Sequence, residues 1–244
     1  MATQLTGFPM IAGADVYSNS STQQMSLGSY SETDDGRGFR YALVGATSTV
    51  PGKVYQGPAE DTTNLSPSGG LSIAAAALGA TSVTLTSSVT YATANGLAGG
   101  YLSVVITPGL GQLYKIAGNT AVSGATGMVI YLEDPIRVAL TTSSKIQLRA
   151  DIYGGIVVTP ATMTNVCVGV SPSIVTNGYY GWIQTHGMVS CLETGTGTCG
   201  IALGVLQGGT IGSLAPAIAG TPILAYAAGT NITGEYGTVF LVMD

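Results

Sequence analysis

The hydrophobic positions of this chain recur mostly at every second residue, in short runs. In residues 81–89, TSVTLTSSV, Val83 and Leu85 fall on one side of an extended chain, and Thr84 and Thr86 fall on the other. This period of two is typical of a half-buried β-strand. Similar runs, most of them bounded by Gly, Pro, Ser or Asn, occupy residues 39–46, 99–107, 111–118, 127–135 and 143–151.

Shorter strand-like runs, richer in glycine, continue after Tyr153, and the chain ends in the apolar run VFLVMD. Strands at this spacing with frequent turns predict an all-β fold of antiparallel sandwich or barrel modules. The one helix candidate is LSIAAAALGA, residues 71–80, because alanine favours helix. Gly79 would limit that helix to two or three turns, so we expect very little helix in the chain.

The chain divides into three regions by this pattern. Residues 1–40 are polar, rich in Gly and Ser, and without a clear period. Such a segment cannot bury enough apolar area to fold alone, so we expect an extended N-terminal arm. Residues 41–70 and 151–244 are predicted to form a sandwich or barrel domain, with residues 71–150 as a small inserted antiparallel β domain.

The composition limits the kinds of partner. Charged residues make up 8% of the chain, against about 25% in an average soluble domain. The net charge of −5 and the seven scattered basic residues argue against nucleic-acid binding. A surface so poor in charge is weakly protected against association and suits a protein covered by neighbouring subunits.

The sequence also gives no sign of export or membrane insertion. The N-terminus has neither a basic region followed by an apolar stretch nor any other mark of a signal peptide. The apolar run at residues 71–80 is far shorter than the roughly 20 residues that cross a bilayer. We therefore expect no membrane partner.

The stretch NGYYGWIQTHGMVSCL, residues 177–192, contains the only tryptophan, Trp182, and the only histidine, His186. On a strand, both would share a face with Gln184 and Met188 and could touch. A catalytic histidine needs a nucleophile and an orienting carboxylate. The nearest acid in sequence, Glu193, would lie on the opposite face, so we predict a structural role for His186.

The cysteines and the lone histidine do not form a common zinc site. Cys167, Cys191 and Cys199 contain no C-x-x-C pair, and only one histidine is available. An odd number of cysteines is not a disulfide framework, although a bridge between Cys191 and Cys199 stays open.

Other short motifs have simpler interpretations. The acidic clusters EDTTN, ETDD and LEDP lack a calcium-loop pattern, so solvated turn acids are expected rather than calcium ligands. GTGTCG, residues 195–200, matches the dinucleotide motif G-x-G-x-x-G, but the glycine-interrupted sequence after it is not a helix. We predict no catalytic residue, no bound metal and no cofactor.

Several runs together resemble a group of tailed-bacteriophage capsid decoration, or cement, proteins and related head-associated structural proteins. These runs are GKVYQGPAEDT at 52–62, AGGYLSVVITPGLGQLYKIAGNTAV at 98–122, LEDPIRVALTTSSKIQL at 132–148, GYYGWIQTHGMVSCL at 178–192 and the terminal VFLVMD. The chain departs from the family in TPGLG, where an acidic turn is expected after the YL strand.

The resemblance implies a non-enzymatic β-rich virion protein on the outer surface of a phage head, assembled in the bacterial host cytoplasm. Its partners would be the major capsid protein of the same phage and further copies of itself, with a trimer as the expected oligomer. Two alternatives stay open. One is a tail or fibre component that recognises a host surface through Tyr179 and Tyr180. The other is a glycan hydrolase, which needs two carboxylates about 5–10 Å apart.

Overall fold

The structure is a computed structural model that describes residues 15–244, and the chain divides into two compact units. The first unit contains the chain up to Pro58 and from Ile152 to Asp244, and the second contains Ala59–Asp151. The described residues form eighteen strands and one short 3-10 helix. The predicted all-β class is therefore confirmed.

The elements follow one another in this order: η1 Asp15–Tyr17, β1 Tyr30–Glu32, β2 Gly38–Val44, β3 Val54–Gln56, β4 Leu71–Ser72, β5 Ser82–Thr84, β6 Val89–Tyr91, β7 Tyr101–Ile106, β8 Leu113–Asn119, β9 Val122–Ala125, β10 Val129–Leu132, β11 Lys145–Arg149, β12 Gly154–Val158, β13 Cys167–Val170, β14 Tyr180–Leu192, β15 Ala202–Gly204, β16 Ala215–Pro216, β17 Ala225–Ala227 and β18 Tyr236–Val242.

The first unit is built around a closed ring of five strands. The ring runs β2, β12, β3, β13 and β14, and β14 pairs back to β2. Only the β2–β12 pair is parallel. Apolar side chains from all five strands, among them Val44, Tyr55 and Ile183, fill a common buried cluster. Closing the sheet on itself removes free strand edges from this part of the fold.

The same sheet continues beyond the ring because β14 extends past the residues that pair with β2. Its first half pairs with β2, and its second half pairs with β18, followed by β17, β15 and β16. The inward side chains of this extension, including Cys191, Val239 and Leu241, form a separate buried cluster. The apolar C-terminal run VFLVMD lies largely in β18, which pairs with β14.

Residues 15–40, within the extended arm predicted for residues 1–40, pack on the rest of the first unit. Ser20 pairs with Tyr180, and β1 pairs with β2. Val16 and Phe39 are completely buried with Trp182. These apolar anchors explain why so polar a segment packs on the sheet. The rest of the predicted arm, residues 1–14, lies outside the described residues.

The second unit consists of a six-stranded sheet, in the order β4, β11, β7, β8, β10 and β5, and the separate pair β6–β9. It begins at Ala59, twelve residues before the predicted boundary at 71. The reason is that Leu65 is buried in its core and accepts a backbone hydrogen bond from Leu148 at 2.8 Å. Glu60 also pairs with Arg149 of β11 at 2.7 Å.

The helix predicted for residues 71–80 is wrong. Leu71 and Ser72 form β4, Ile73 bridges to Leu85, and Ala76 bridges to Leu140. Leu71 and Ile73 are both buried, so pairing and burial outweigh the helix propensity of the alanines. Among the described residues, no helix is long and apolar enough to cross a membrane.

An ion pair ties the last residue of the chain to the barrel. The Arg40 guanidinium donates from Nε and Nη2 to the Asp244 carboxylate, with N–O distances of 2.9 to 3.1 Å, and from Nη1 to the carbonyl of Gly28 at 2.8 Å. Burial alone would raise the pKa of Asp244. Hydrogen bonds from Arg40 and Thr185, together with the Arg40 charge, outweigh burial and hold this pKa below its usual value.

We predict that Arg40→Gln lowers the free energy of unfolding of the first unit by about 1–2 kcal/mol near neutral pH, because a forked, charge-assisted pair is lost. Since the folded-state pKa of Asp244 is depressed, the pair stabilises the fold above the ordinary aspartate pKa of 3.8. This contribution disappears as the pH falls through the depressed value.

The measurement is urea unfolding followed by the fluorescence of Trp182, the only tryptophan, at neutral and strongly acidic pH. Lys53→Gln is the control, because Lys53 carries the same charge in the same unit and forms no ion pair among the described residues. An equal loss of stability in both variants, or no change of the Arg40→Gln deficit with pH, would contradict the prediction.

Candidate interaction surface

Trp182 and His186, which the sequence places on one face, have different surroundings. Trp182 is buried with its ring edge-on to Tyr41, at 5.2 Å between ring centroids. His186 is half-buried and edge-on to Phe240, at 5.3 Å. The expected contact between the two rings is thus replaced by separate aromatic partners.

The acid whose pKa is affected by His186 is Asp244 rather than Glu193. Burial, Arg40 and Thr185 have the larger effects on the pKa of Asp244. The charge of His186 has a smaller effect and lowers this pKa. Both Asp244 oxygens already accept hydrogen bonds from Arg40. No hydrogen bond among the described residues links the His186 imidazole to a hydroxyl or thiol.

The three cysteines are free. Cys191 is completely buried, and burial raises the pKa of its thiol. Its Sγ donates to the carbonyl of Leu192 at 3.7 Å, whereas the exposed Cys199 donates to the carbonyl of Ala228 at 3.6 Å. The bridge between Cys191 and Cys199 is therefore not formed in this structure.

The acidic clusters take part in local turn contacts. Asp61 accepts hydrogen bonds from the backbone of Thr63 and Asn64, Asp35 pairs with Arg37, and Glu133 pairs with Lys115. No group of three or more metal-ligating His, Cys, Asp or Glu side chains occurs in residues 15–244. The GTGTCG run lies between β14 and β15, and a strand follows it in place of the helix that dinucleotide binding requires.

The candidate functional surface is the outward side of β14, β18 and β17. Met188, Phe240 and Tyr226 lie directly opposite one another on these strands and are 46%, 39% and 42% exposed. The other residues counted in this surface carry no formal charge. We call this surface the outer face; it comprises His186, Met188, Ser190, Tyr226, Tyr236, Thr238, Phe240 and Val242.

A β-bulge in β14 lies at the margin of the outer face. The pairing of β14 with β2 shifts register between Gln184 and His186. Gly187 has a φ of +85°, a left-handed conformation that glycine adopts without steric cost. The buried Gln184 carboxamide spans the bulge and donates to the carbonyls of His186 and Met188, each at 2.9 Å. Gln184 is thus buried, whereas Met188 is exposed.

An open groove of about 310 Å³ adjoins the outer face. Its lining includes Met188 and Tyr236 from the face itself, Tyr17 from η1, and Pro51 and Pro172 from two loops. The Tyr236 ring lies so close to Gly52 that a Cβ there would approach it to 2.7 Å. The wall combines these aromatic and apolar residues with the polar Ser171, Gln184 and Ser190, and Arg37 is the one charged lining residue among the described residues.

The two tyrosines predicted to project from a loop differ in accessibility. Tyr179 is exposed in the turn before β14. Tyr180 begins β14 and stacks on Tyr41, with 6.0 Å between ring centroids. The expectation of two exposed aromatic side chains therefore holds for Tyr179 alone.

Comparisons with models of known protein families, with curated proteins and with solved structures found no match for this chain. The assignment of a function therefore depends on the chemistry of the surface described above.

We predict that Gln184→Met lowers the free energy of unfolding of the first unit by about 1–3 kcal/mol. Methionine fills a similar volume but leaves the carbonyls of His186 and Met188 without their donor. Gln23→Met is the control, because Gln23 is exposed. Urea unfolding followed by Trp182 fluorescence checks the difference, and equal effects of the two substitutions would contradict the role given to Gln184.

Proposed function

We propose that this protein is a non-enzymatic virion structural protein that decorates the outside of a tailed-phage head and stabilises the shell. Its partners in this proposal are the major capsid protein and further copies of the chain, arranged as a homo-oligomer with a trimer as the expected state. Neither nucleic acid nor a membrane takes part. The resemblance of the sequence runs to head-associated phage proteins motivates the proposal, and the outer face supplies a surface for it.

The observation that carries the proposal is the pattern of β18. Val239 and Leu241 point into the core, yet the alternate residues Phe240 and Val242 are apolar as well. A continuous hydrophobic run is typical of strands covered on both sides. In the single chain one side of β18 is covered, and Phe240 on the other is exposed. A partner subunit would cover that second side.

The chemistry of the outer face defines the partner. It has no Asp, Glu, Lys or Arg, so a partner gains by burying apolar and aromatic surface rather than by forming ion pairs. Tyrosine, phenylalanine and methionine are enriched at the buried centres of protein interfaces. Weak single contacts become strong when many copies bind to one lattice, which is the situation on a capsid.

A tail or fibre component is the second candidate, favoured by the exposed Tyr179 next to β14. Aromatic side chains on loops offer platforms for the rings of host-surface sugars. Loss of binding to host cells in Tyr179→Ala, without loss of particle incorporation, would favour this alternative.

The experiment that tests the proposed function is the copy number of the chain in density-purified phage particles. Quantitative mass spectrometry compares it with the most abundant shell protein. A ratio of the same order supports a lattice-wide head component, and a few copies per particle would move the protein to the tail or fibre. Absence from the particles would overturn the virion proposal and direct attention to the hydrolase alternative.

We predict that Phe240→Asp weakens attachment to purified shells that lack the chain by at least about tenfold, because a charge replaces an aromatic anchor. Tyr131→Asp is the control, since Tyr131 is similarly exposed on the six-stranded sheet. Co-sedimentation measures attachment, and Trp182 fluorescence verifies folding. Equal attachment of both variants and the unsubstituted protein would exclude the outer face as the binding surface.

A further inference from the structure

A buried carboxyl group lies at the end of β14, next to the outer face. Glu193 follows directly after β14 and is 1% exposed. Its Oε1 accepts a hydrogen bond from Nδ2 of Asn231 at 2.7 Å. Its Oε2 is buried and has no hydrogen-bond partner among the described residues. Such an unsatisfied buried oxygen is uncommon and requires an explanation.

The carboxyl group is enclosed by glycines. A Cβ at Gly197 would stand 2.6 Å from Oε2, and a Cβ at Gly237 would collide with both Oε1 and the Asn231 amide. The backbone thus approaches the carboxyl group from two sides, at positions where only glycine fits. This arrangement leaves little space for water or a cation beside Oε2 while the site is closed.

Glu193 joins two turns that are distant in sequence. The first comprises residues 194–200 after β14, and the second comprises residues 228–235 before β18. Gly197 and Asn231 exchange backbone hydrogen bonds of 3.1 and 3.2 Å across them. The backbone of Glu193 itself bonds to Glu235 and Gly234 at 2.9 and 2.8 Å. The side chain and backbone of Glu193 therefore hold the turns together.

Among residues 15–244, no positive charge compensates the carboxyl group. From β14 it is approached by the Cys191 thiol, whose pKa is raised first by burial and then by Glu193. The second turn contributes the neutral Asn231 and the acid Glu235, whose Oε2 accepts from the backbone of Ile232 at 3.2 Å. Leu214, which bridges to Glu193, is preceded by the uncharged Ser213.

We propose that Glu193 is a proton-controlled latch between these two turns: the neutral acid keeps them closed, and loss of its proton to solvent releases them. In the closed state Oε1 accepts the amide hydrogen of Asn231 while Oε2 carries the proton. An ionised carboxylate with a single hydrogen bond is unstable in so enclosed a place. Separation of the turns would admit water to solvate it.

The direction of the pH dependence follows from burial. Burial raises the pKa of Glu193 above its ordinary value of 4.5, and the hydrogen bond from Asn231 lowers it by less. The closed state has its full stability at pH values below the ordinary glutamate pKa of 4.5. It loses stability as the pH rises from there through the raised pKa, by up to about tenfold in the opening equilibrium per pH unit.

The latch lies next to Tyr236, at one edge of the outer face. Tyr236 follows the second turn directly, pairs with Leu192 and lines the groove beside Gly52. Release of the turn would free Tyr236 and change the groove. Regulation of partner docking by this route rests on the proposed function, whereas the latch is a property of the isolated chain.

The test is hydrogen exchange of the isolated protein at a series of pH values, with each rate corrected for its intrinsic pH dependence and analysed by mass spectrometry. We expect exchange in residues 194–200 and 228–235 to increase with pH, by up to about tenfold per unit above 4.5. Glu193→Gln should remove this dependence, and Glu235→Gln, which neutralises an exposed acid in the same turn, should retain it.

The same pH dependence in Glu193→Gln and the unsubstituted protein, or none in the unsubstituted protein, would overturn the latch. If Glu193→Gln does not fold, carbon-detected NMR titration of the glutamate carboxyl groups in the unsubstituted protein decides: an ordinary pKa for Glu193 overturns the proposal. Both measurements use the free chain, so their failure is distinct from absence of the protein from phage particles.

Discussion

The architecture of the first unit depends on the change of partner that β14 makes at Gln184. Before this point the strand closes the five-stranded ring through β2, and beyond it the strand begins the extension through β18. The two hydrogen bonds from the Gln184 carboxamide hold the bulge that permits this change.

The bulge connects the fold to the proposed function. Beyond it, Cys191 enters the core of the extension, and Met188 joins Phe240 and Tyr226 on the outer face. The core needs apolar residues on one side of these strands only. The apolar residues on the other side add nothing to the interior of the single chain, and their burial against another subunit gives them a physical role.

The sequence pattern predicted the β class and most strand positions, because alternation is local. Thus β7 and β11 lie within the predicted runs 99–107 and 143–151. Contacts between residues that are distant in sequence were not predictable. Examples are the Arg40–Asp244 ion pair and the burial of Leu65 in the core of the second unit. Gly187, with a φ of +85°, was the local sign of the bulge, because a glycine inside a strand often marks such an irregularity. The sequence run VFLVMD showed that adjacent residues of the last strand are apolar. Only the pairing of β18 shows which residues of this run point outward.

Hydroxyl-radical footprinting of the free chain and of the same chain in purified particles tests the central claim most directly. We expect oxidation of Met188, Tyr226 and Phe240 to fall several-fold in particles. Tyr101 and Tyr131, exposed on the six-stranded sheet, serve as internal references in both samples. Equal oxidation of the outer-face residues in the free and particle-bound chain would contradict the claim that a neighbouring subunit covers this face.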